Sequence, residues 1–242
     1  MQSEYAILNP EASWRTRLMR IAFATFVGVR SLGRERLGLS AGLRGTGMCF
    51  AKETLRRVAP AAHSNVEDLE YSLWMGEAGL RVHYAWEAEV RCEMTTSGRA
   101  AAVQRGRWEG GRRRLAHAQG PRLLWKALAS RSPLLLDLAF DLVVPPLAQL
   151  ASLVALGCVL SAALAVQQRA LGLSLVAWGA CASGLAAHCF RGWVLSRTGA
   201  RGLVDLAHAP LYIAWKVFTL LRGSGSGDAW IRTAREKKAG SG

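Results

Sequence analysis

The sequence predicts an α/β unit followed by α-helical membrane-spanning segments. Three observations carry this expectation. Helical and alternating apolar periodicities succeed one another through the first part of the chain. A basic stretch follows, with six arginines between Arg99 and Arg114. Two runs, 142–168 and 170–190, then contain no Asp, Glu, Lys or Arg. Each exceeds the roughly 18 residues that separate a spanning helix from an ordinary core helix.

The opening segment MQSEYAILNPEASW has no basic stretch leading into an apolar one and does not read as a signal peptide. Ser13 is placed to cap a helix whose core face is Leu18, Ile21, Ala22, Thr25, Phe26 and Val29, ending near Gly33. The glycine-punctuated loop GLSAGLRGTGMCF leads into a short strand and a helix over 52–58. NVEDLEYSLWMGEAGL reads as a helix with Ser64 and Glu67 as a capping box, and with Leu69, Leu73, Gly76 and Leu80 on one face. Val82, Tyr84, Trp86, Ala88 and Val90 then alternate with polar residues, as in a half-buried strand.

Residues 123–140 mix apolar side chains with Lys126, Arg131 and Asp137. An amphipathic basic segment just before a span is expected to lie in the cytoplasmic headgroup layer. The arginines before the first run, and Arg191, Arg197 and Arg201 after the second, place both flanks on the cytoplasmic side, with only Arg169 in the connecting turn. A third apolar stretch, 203–221, contains Asp205, His208, Pro210 and Lys216 and reads as interfacial. A charge at the centre of a span costs roughly 2.5–3.5 kcal/mol. The five cysteines form no CxxC pair, so neither a disulfide framework nor a zinc site is expected. A net charge of +14 favours an anionic surface, lipid or nucleic acid.

Two clusters carry chemistry. Glu67 and Asp68 sit where a helix begins, and a carboxylate at a helix amino terminus is held ionised and oriented, as a general base must be. Acids in a first turn also serve the helix dipole alone. Gln104, Arg107 and Trp108 belong to QRGRW. A guanidinium pairs bidentately with phosphate oxygens, and an indole offers a flat face to a pyranose ring. The competing reading of that pentapeptide, and of Arg105 and Arg112 to Arg114, is a headgroup-binding basic patch with an interfacial aromatic. Gly45, Thr46 and Gly47 form a loop whose backbone a sugar could approach closely, a signal that glycine pairs often give without function.

The order acidic pair, strand, QxxRW, amphipathic segment and membrane spans resembles the processive, membrane-embedded family-two glycosyltransferases, the group of cellulose and exopolysaccharide synthases. The resemblance matches Val66-Glu67-Asp68 to an acidic T/A-E-D motif, departing from it at Val66, and matches Gln104, Arg107 and Trp108 to QxxRW in full. It implies Asp68 as catalytic base beside Glu67, Arg107 at the leaving group, Trp108 and Gln104 at the acceptor, and Gly45-Thr46-Gly47 as an acceptor-side loop. It extends to WIRTAR near the end of the sequence. The implied fold is the carboxyl-terminal half of a GT-A-like domain, and the implied donor is a UDP-linked nucleotide-sugar bound through Mg2+ or Mn2+ on a DxD motif. The five aspartates, Asp68, Asp137, Asp141, Asp205 and Asp228, include no pair two apart, so these metal ligands are expected outside this chain. The isolated chain is then expected to be inactive and to need a separate donor-binding half.

The expected organisation is a partial catalytic domain over 1–115, an amphipathic interface segment over 116–141, spans at 142–168 and 170–190, a cytoplasmic or interfacial return over 191–222 and a basic tail over 223–242. The expected partners are membrane lipid, the nucleotide-sugar and a glycan acceptor. A non-catalytic membrane subunit that binds polysaccharide or a protein is the alternative, and nucleic-acid binding through Arg99 to Arg114 is the weaker one.

Overall fold

The structure, a computed structural model, describes residues 1–62, 64–167 and 172–209. The Arg105 side chain, the Arg169 turn, most of the 203–221 stretch, WIRTAR and the 223–242 tail lie outside the described residues.

The described chain is mostly helical around a two-stranded sheet, so the α/β expectation is met only in a small part. Strand β1 (Gln2–Ile7) pairs in parallel with β2 (Tyr84–Cys92), from Gln2 opposite Tyr84 to Ile7 opposite Cys92, with a register shift between Ser3 and Glu4. The periodicity reading contains no β1, because a short strand whose partner lies far along the chain leaves little local pattern. In β2, Tyr84 is buried but Trp86 is 65% exposed, so the alternation predicts the strand while misplacing its tryptophan.

Ser13 does cap a helix: its hydroxyl accepts from Thr16 N, and the Thr16 hydroxyl accepts from Ser13 N. Helix α1 (Trp14–Phe23) passes through a π-helical segment, Ala24–Val29, into α2 (Arg30–Arg36), running beyond Gly33. The wider π turn changes the helical phase. Ala24, Val27, Gly28, Ser31 and Arg34 are therefore buried, while Ala22 and Phe26 of the predicted core face are exposed.

The loop after α2 carries an isolated bridge between Met48 and Gln2 in place of the expected strand, then α3 (Lys52–Arg57). Helix α4 (Glu67–Glu77) starts at an uncapped Val66. Ser64 lies too far back for the predicted capping box, and its hydroxyl accepts only from Val66 N at 3.4 Å. Helix α5 (Gly98–Ala129) is one 32-residue helix continuous across residue 115, and it pairs with α6 (Pro133–Val143). Leu69 and Leu73 of α4, Leu115, Leu123 and Ala127 of α5, and Leu135, Leu138 and Leu142 of α6 form the largest core cluster. The segment read as lying in the headgroup layer thus also supplies core to the soluble unit.

After Pro145-Pro146 come α7 (Leu147–Gln167) and α8 (Gly172–Ser196), both long and apolar enough to cross a membrane. Their apolar side chains are not covered by the rest of the described chain, with Leu173, Val176 and Val159 strongly exposed. Gly157 lets the Trp178 ring pack against α7, and the Ser161 and Ser174 hydroxyls hydrogen-bond at 2.7 Å. Helix α8 runs past Arg191 and packs its end on the π segment, where Gly192 lies against Thr25. The short helix α9 (Gly199–Leu206) then returns Asp205 to Arg17 at 2.5 Å.

Candidate active site

Leu43 N donates to the Ser72 hydroxyl at 2.7 Å, and that hydroxyl donates to Asp68 O at 2.9 Å, tying the glycine loop to α4. Gln2 of β1 holds the next residues from below: its amide donates to Thr46 O at 2.7 Å and accepts from Arg44 N at 2.8 Å. The loop therefore stands fixed between sheet and helix.

Within it, Gly45 and Gly47 both have positive φ, 76° and 70°, a conformation that favours glycine. They do different work. A β-carbon on Gly47 would meet Ser3 Oγ at 1.9 Å, so Gly47 permits close packing on the sheet. A β-carbon on Gly45 would lie 3.4 Å from Asp68 Oδ2, so Gly45 is the residue that faces the acid.

Asp68 is half-buried, and its Oδ1 accepts from Leu69 N at 2.8 Å. Burial pushes its carboxyl above the usual range. The Leu69 hydrogen bond and the Arg44 guanidinium oppose that rise, and Glu67 adds to it. Glu67 itself is exposed. Of the acidic pair, then, only Asp68 points into the structure.

On α5, alternating four- and three-residue spacings put Gln104, Trp108, Gly111 and Leu115 along one stripe. Gly111 marks where α5 crosses α4: a β-carbon there would meet Val66 Cγ1 at 2.7 Å, immediately before Glu67. Trp108 lies about one turn, roughly 5 Å, from that crossing. Its ring meets Phe23 of α1 edge-on, with centroids 6.4 Å apart. Gln104 and Arg107 are half-buried on the same turn. Gly111 thus brings α5 against the residue before Glu67, while Trp108, one turn earlier, packs on Phe23 of α1.

The structure holds a feature the motif reading does not contain. Arg44 stacks over Phe26 at 4.6 Å, and Arg30 approaches the same ring at 5.1 Å. Arg30 and Arg34 pair with Asp141, Arg34 at 2.8 Å, and Arg34 also pairs with Asp137. Arg112 donates to the backbone carbonyl of Asp141. Burial first, and then the mutual repulsion of the guanidinium groups, lowers the pKa of Arg44 to about 10 and also lowers that of Arg112. A guanidinium stays protonated at neutral pH, so this repulsion is an electrostatic cost borne by the fold. The sequence signal was available: Arg30 and Arg34 share an i,i+4 spacing that matches Asp137 and Asp141 on an otherwise apolar helix.

Two concavities flank this region. One of about 250 Å³ lies among Ile7, Arg20, Arg91 and Arg197. The other, about 520 Å³, runs between α5 and the junction of α6 and α7. Neither is lined by Asp68 or Trp108. Among the described residues no group of three or more His, Cys, Asp or Glu could hold a metal ion, so the donor metal has no fitting ligand set there.

A half-buried, loop-facing acid at a helix start thus stands near a helix that carries QxxRW. The model described as glycosyl transferase family group 2 matches residues 1–221, and the chain belongs to that family. No curated protein and no solved structure matches it.

Proposed function

We propose that this chain forms the acceptor side of an inverting, membrane-embedded sugar transferase, acting from a UDP-linked donor onto a growing polysaccharide or lipid-linked acceptor. The observation that carries the reading is Asp68. Its carboxyl is partly desolvated, oriented by Leu69 N, and separated from open loop backbone only by the missing side chain of Gly45. In the proposed step the Asp68 carboxylate takes the proton of an acceptor hydroxyl. The hydroxyl oxygen bonds to the anomeric carbon, and the bond from that carbon to the diphosphate oxygen breaks, the nucleoside diphosphate leaving with the electron pair. Arg107 meets the leaving charge, while Trp108 and Gln104 hold the acceptor ring. A raised pKa suits a base that must accept a proton near neutral pH.

The Mg2+ or Mn2+ that would neutralise the donor diphosphate belongs, in this reading, to a donor-binding half whose DxD carboxylates are not among these residues. No step here runs through it. Helices α7 and α8 cross the bilayer, with the catalytic part on the cytoplasmic face beside its arginines.

The test is sugar transfer from radiolabelled UDP-sugars in membranes that carry the chain together with a donor-binding half. Asp68→Asn lowers turnover about 10²–10⁴-fold, the usual range for loss of a general base, with donor binding retained. Unchanged turnover removes Asp68 from the mechanism. Glycan binding without transfer under any donor favours a non-catalytic subunit instead.

A further inference from the structure

The groove between α5 and the α6–α7 junction carries a combination of surfaces that the transfer chemistry does not use. One wall is a stripe of α5 in which Arg112, Arg113 and His117 recur at helical spacing and give way to Leu124. The opposite wall is the apolar break from Leu142 to Pro146, ahead of the first turn of α7. Cationic and apolar side chains therefore share one groove, and Arg112 meets the end of α6, just ahead of a membrane-length helix, at the carbonyls of Asp141 and Val144. Glu109 also lines the groove, leaving two fixed positive charges against one negative.

Both walls stay open. Val143 is 61% exposed and Leu124 37% exposed. Arg112 donates to the carbonyls of Asp141 and Val144, which fixes the groove's shape without spending the guanidinium on a carboxylate there.

We infer that this groove binds one anionic phospholipid, its headgroup phosphate between Arg112 and Arg113 and its acyl chains against Leu124, Val143 and the start of α7. The site rests on the membrane reading of α7 and α8 and adds to it a lipid preference at a defined place. It fastens the QxxRW helix to the inner leaflet.

The test uses the full chain in mixed micelles of phosphatidylglycerol and phosphatidylcholine, with retained lipid counted by native mass spectrometry. Phosphatidylglycerol is retained in preference, and Arg113→Gln weakens that preference about fivefold, the effect of roughly 1 kcal/mol per surface cation. Leu124→Asp lowers retention of both lipids, and Arg36→Gln, on exposed α2, leaves the preference intact. Equal retention of the two lipids, an Arg113→Gln protein matching its parent, or an equal loss in Arg36→Gln overturns the assignment. Displacement of the lipid by excess inorganic phosphate also overturns it, marking a free-anion site. Carbonate extraction of membranes separates the two levels: a chain that is extracted sinks both the spans and the groove, whereas a retained chain without headgroup preference sinks the groove alone.

Discussion

Replacing Gly192 by alanine tests how the second apolar helix is joined to the catalytic unit. In an isolated helix the exchange is favourable by about 0.8–1 kcal/mol, because glycine is the poorer helix former. At Gly192 the added methyl would lie 1.8 Å from Thr25 Oγ1 and 3.0 Å from Thr25 Cα. Ordinary contact begins near 3.4 Å. Thr25 cannot swing aside, since it is only 2% exposed and its hydroxyl donates to Ile21 O at 2.7 Å. The two helices must part, an overpacking cost of about 1–3 kcal/mol. The net loss is up to about 2 kcal/mol, or up to about 8 °C in the melting temperature of a chain this long. Gly184, on the same helix with open space around it, is the internal control, and Gly184→Ala should gain what helix propensity offers. Thermal melts of the detergent-solubilised proteins, followed by circular dichroism, read both. A Gly192→Ala protein that gains as much stability as Gly184→Ala would refute the docking of α8 on the π segment.

Other consequences can be checked on the same material. Glu4 sits under Tyr84, whose hydroxyl donates to it, and burial, with Glu89 nearby, raises its carboxyl from 4.5 to about 7 while Arg20 opposes the rise. The folded state thus holds a proton that the unfolded chain releases, so stability falls as pH rises from about 4.5 to 7 and is flat above. At 1.36 kcal/mol per pH unit the full effect is about 3.4 kcal/mol, and partial exposure cuts it to about 1.5. Glu4→Gln should match its parent near pH 4.5 and exceed it by that amount at pH 8 in denaturant titrations; parallel pH curves for the two proteins count against it. Asp141→Asn should lose about 3–5 kcal/mol, because Arg30 and Arg34 would keep buried charge without their shared carboxylate. A loss below 1 kcal/mol in the same titration would show the cluster to be solvated. Trp108→Ala should raise the KM for acceptor roughly tenfold, about 1.4 kcal/mol, with Trp108→Phe recovering most of it; equal acceptor kinetics for all three proteins would take the indole out of the site.

Much of this architecture was written in local pattern, and the failures have physical causes. Ser13, the three-four spacing of α4 and the uncharged runs before and after Arg169 are local signals, and the helices Trp14–Phe23, Glu67–Glu77, Leu147–Gln167 and Gly172–Ser196 follow them. Strand β1 escaped because its stability comes from β2 and not from its own periodicity. The phase of Phe26 and Ala22 was misjudged because no sequence rule marks where a helix widens to π geometry. The capping of α4 failed because Ser64 competes for Val66 N instead of reaching the first turn. For the site, the helix start and the acidic motif single out Asp68, and QxxRW singles out Trp108. The pairing of Arg30 and Arg34 with Asp137 and Asp141 needed α2 and α6 brought together. Glu67 shows the reverse limit, since adjacency to Asp68 in sequence put it on the outside of the helix.

The widened stretch at Ala24–Val29 changes what counts as a mild edit. It holds one residue more than a regular α-helix requires over the same rise. Excising that extra residue would leave a regular helix over the same rise, with Ile21 still beside Gly202 and Arg30 and Arg34 still facing the carboxylates of α6. Excising a residue from the regular helix on either side would instead turn everything downstream by about 100°. The wide turn is thus the one stretch of this rod that can give up a residue and keep both sets of neighbours. In this chain a one-codon deletion within Ala24–Val29 is expected to do less damage than the same deletion in Trp14–Phe23 or Arg30–Arg36.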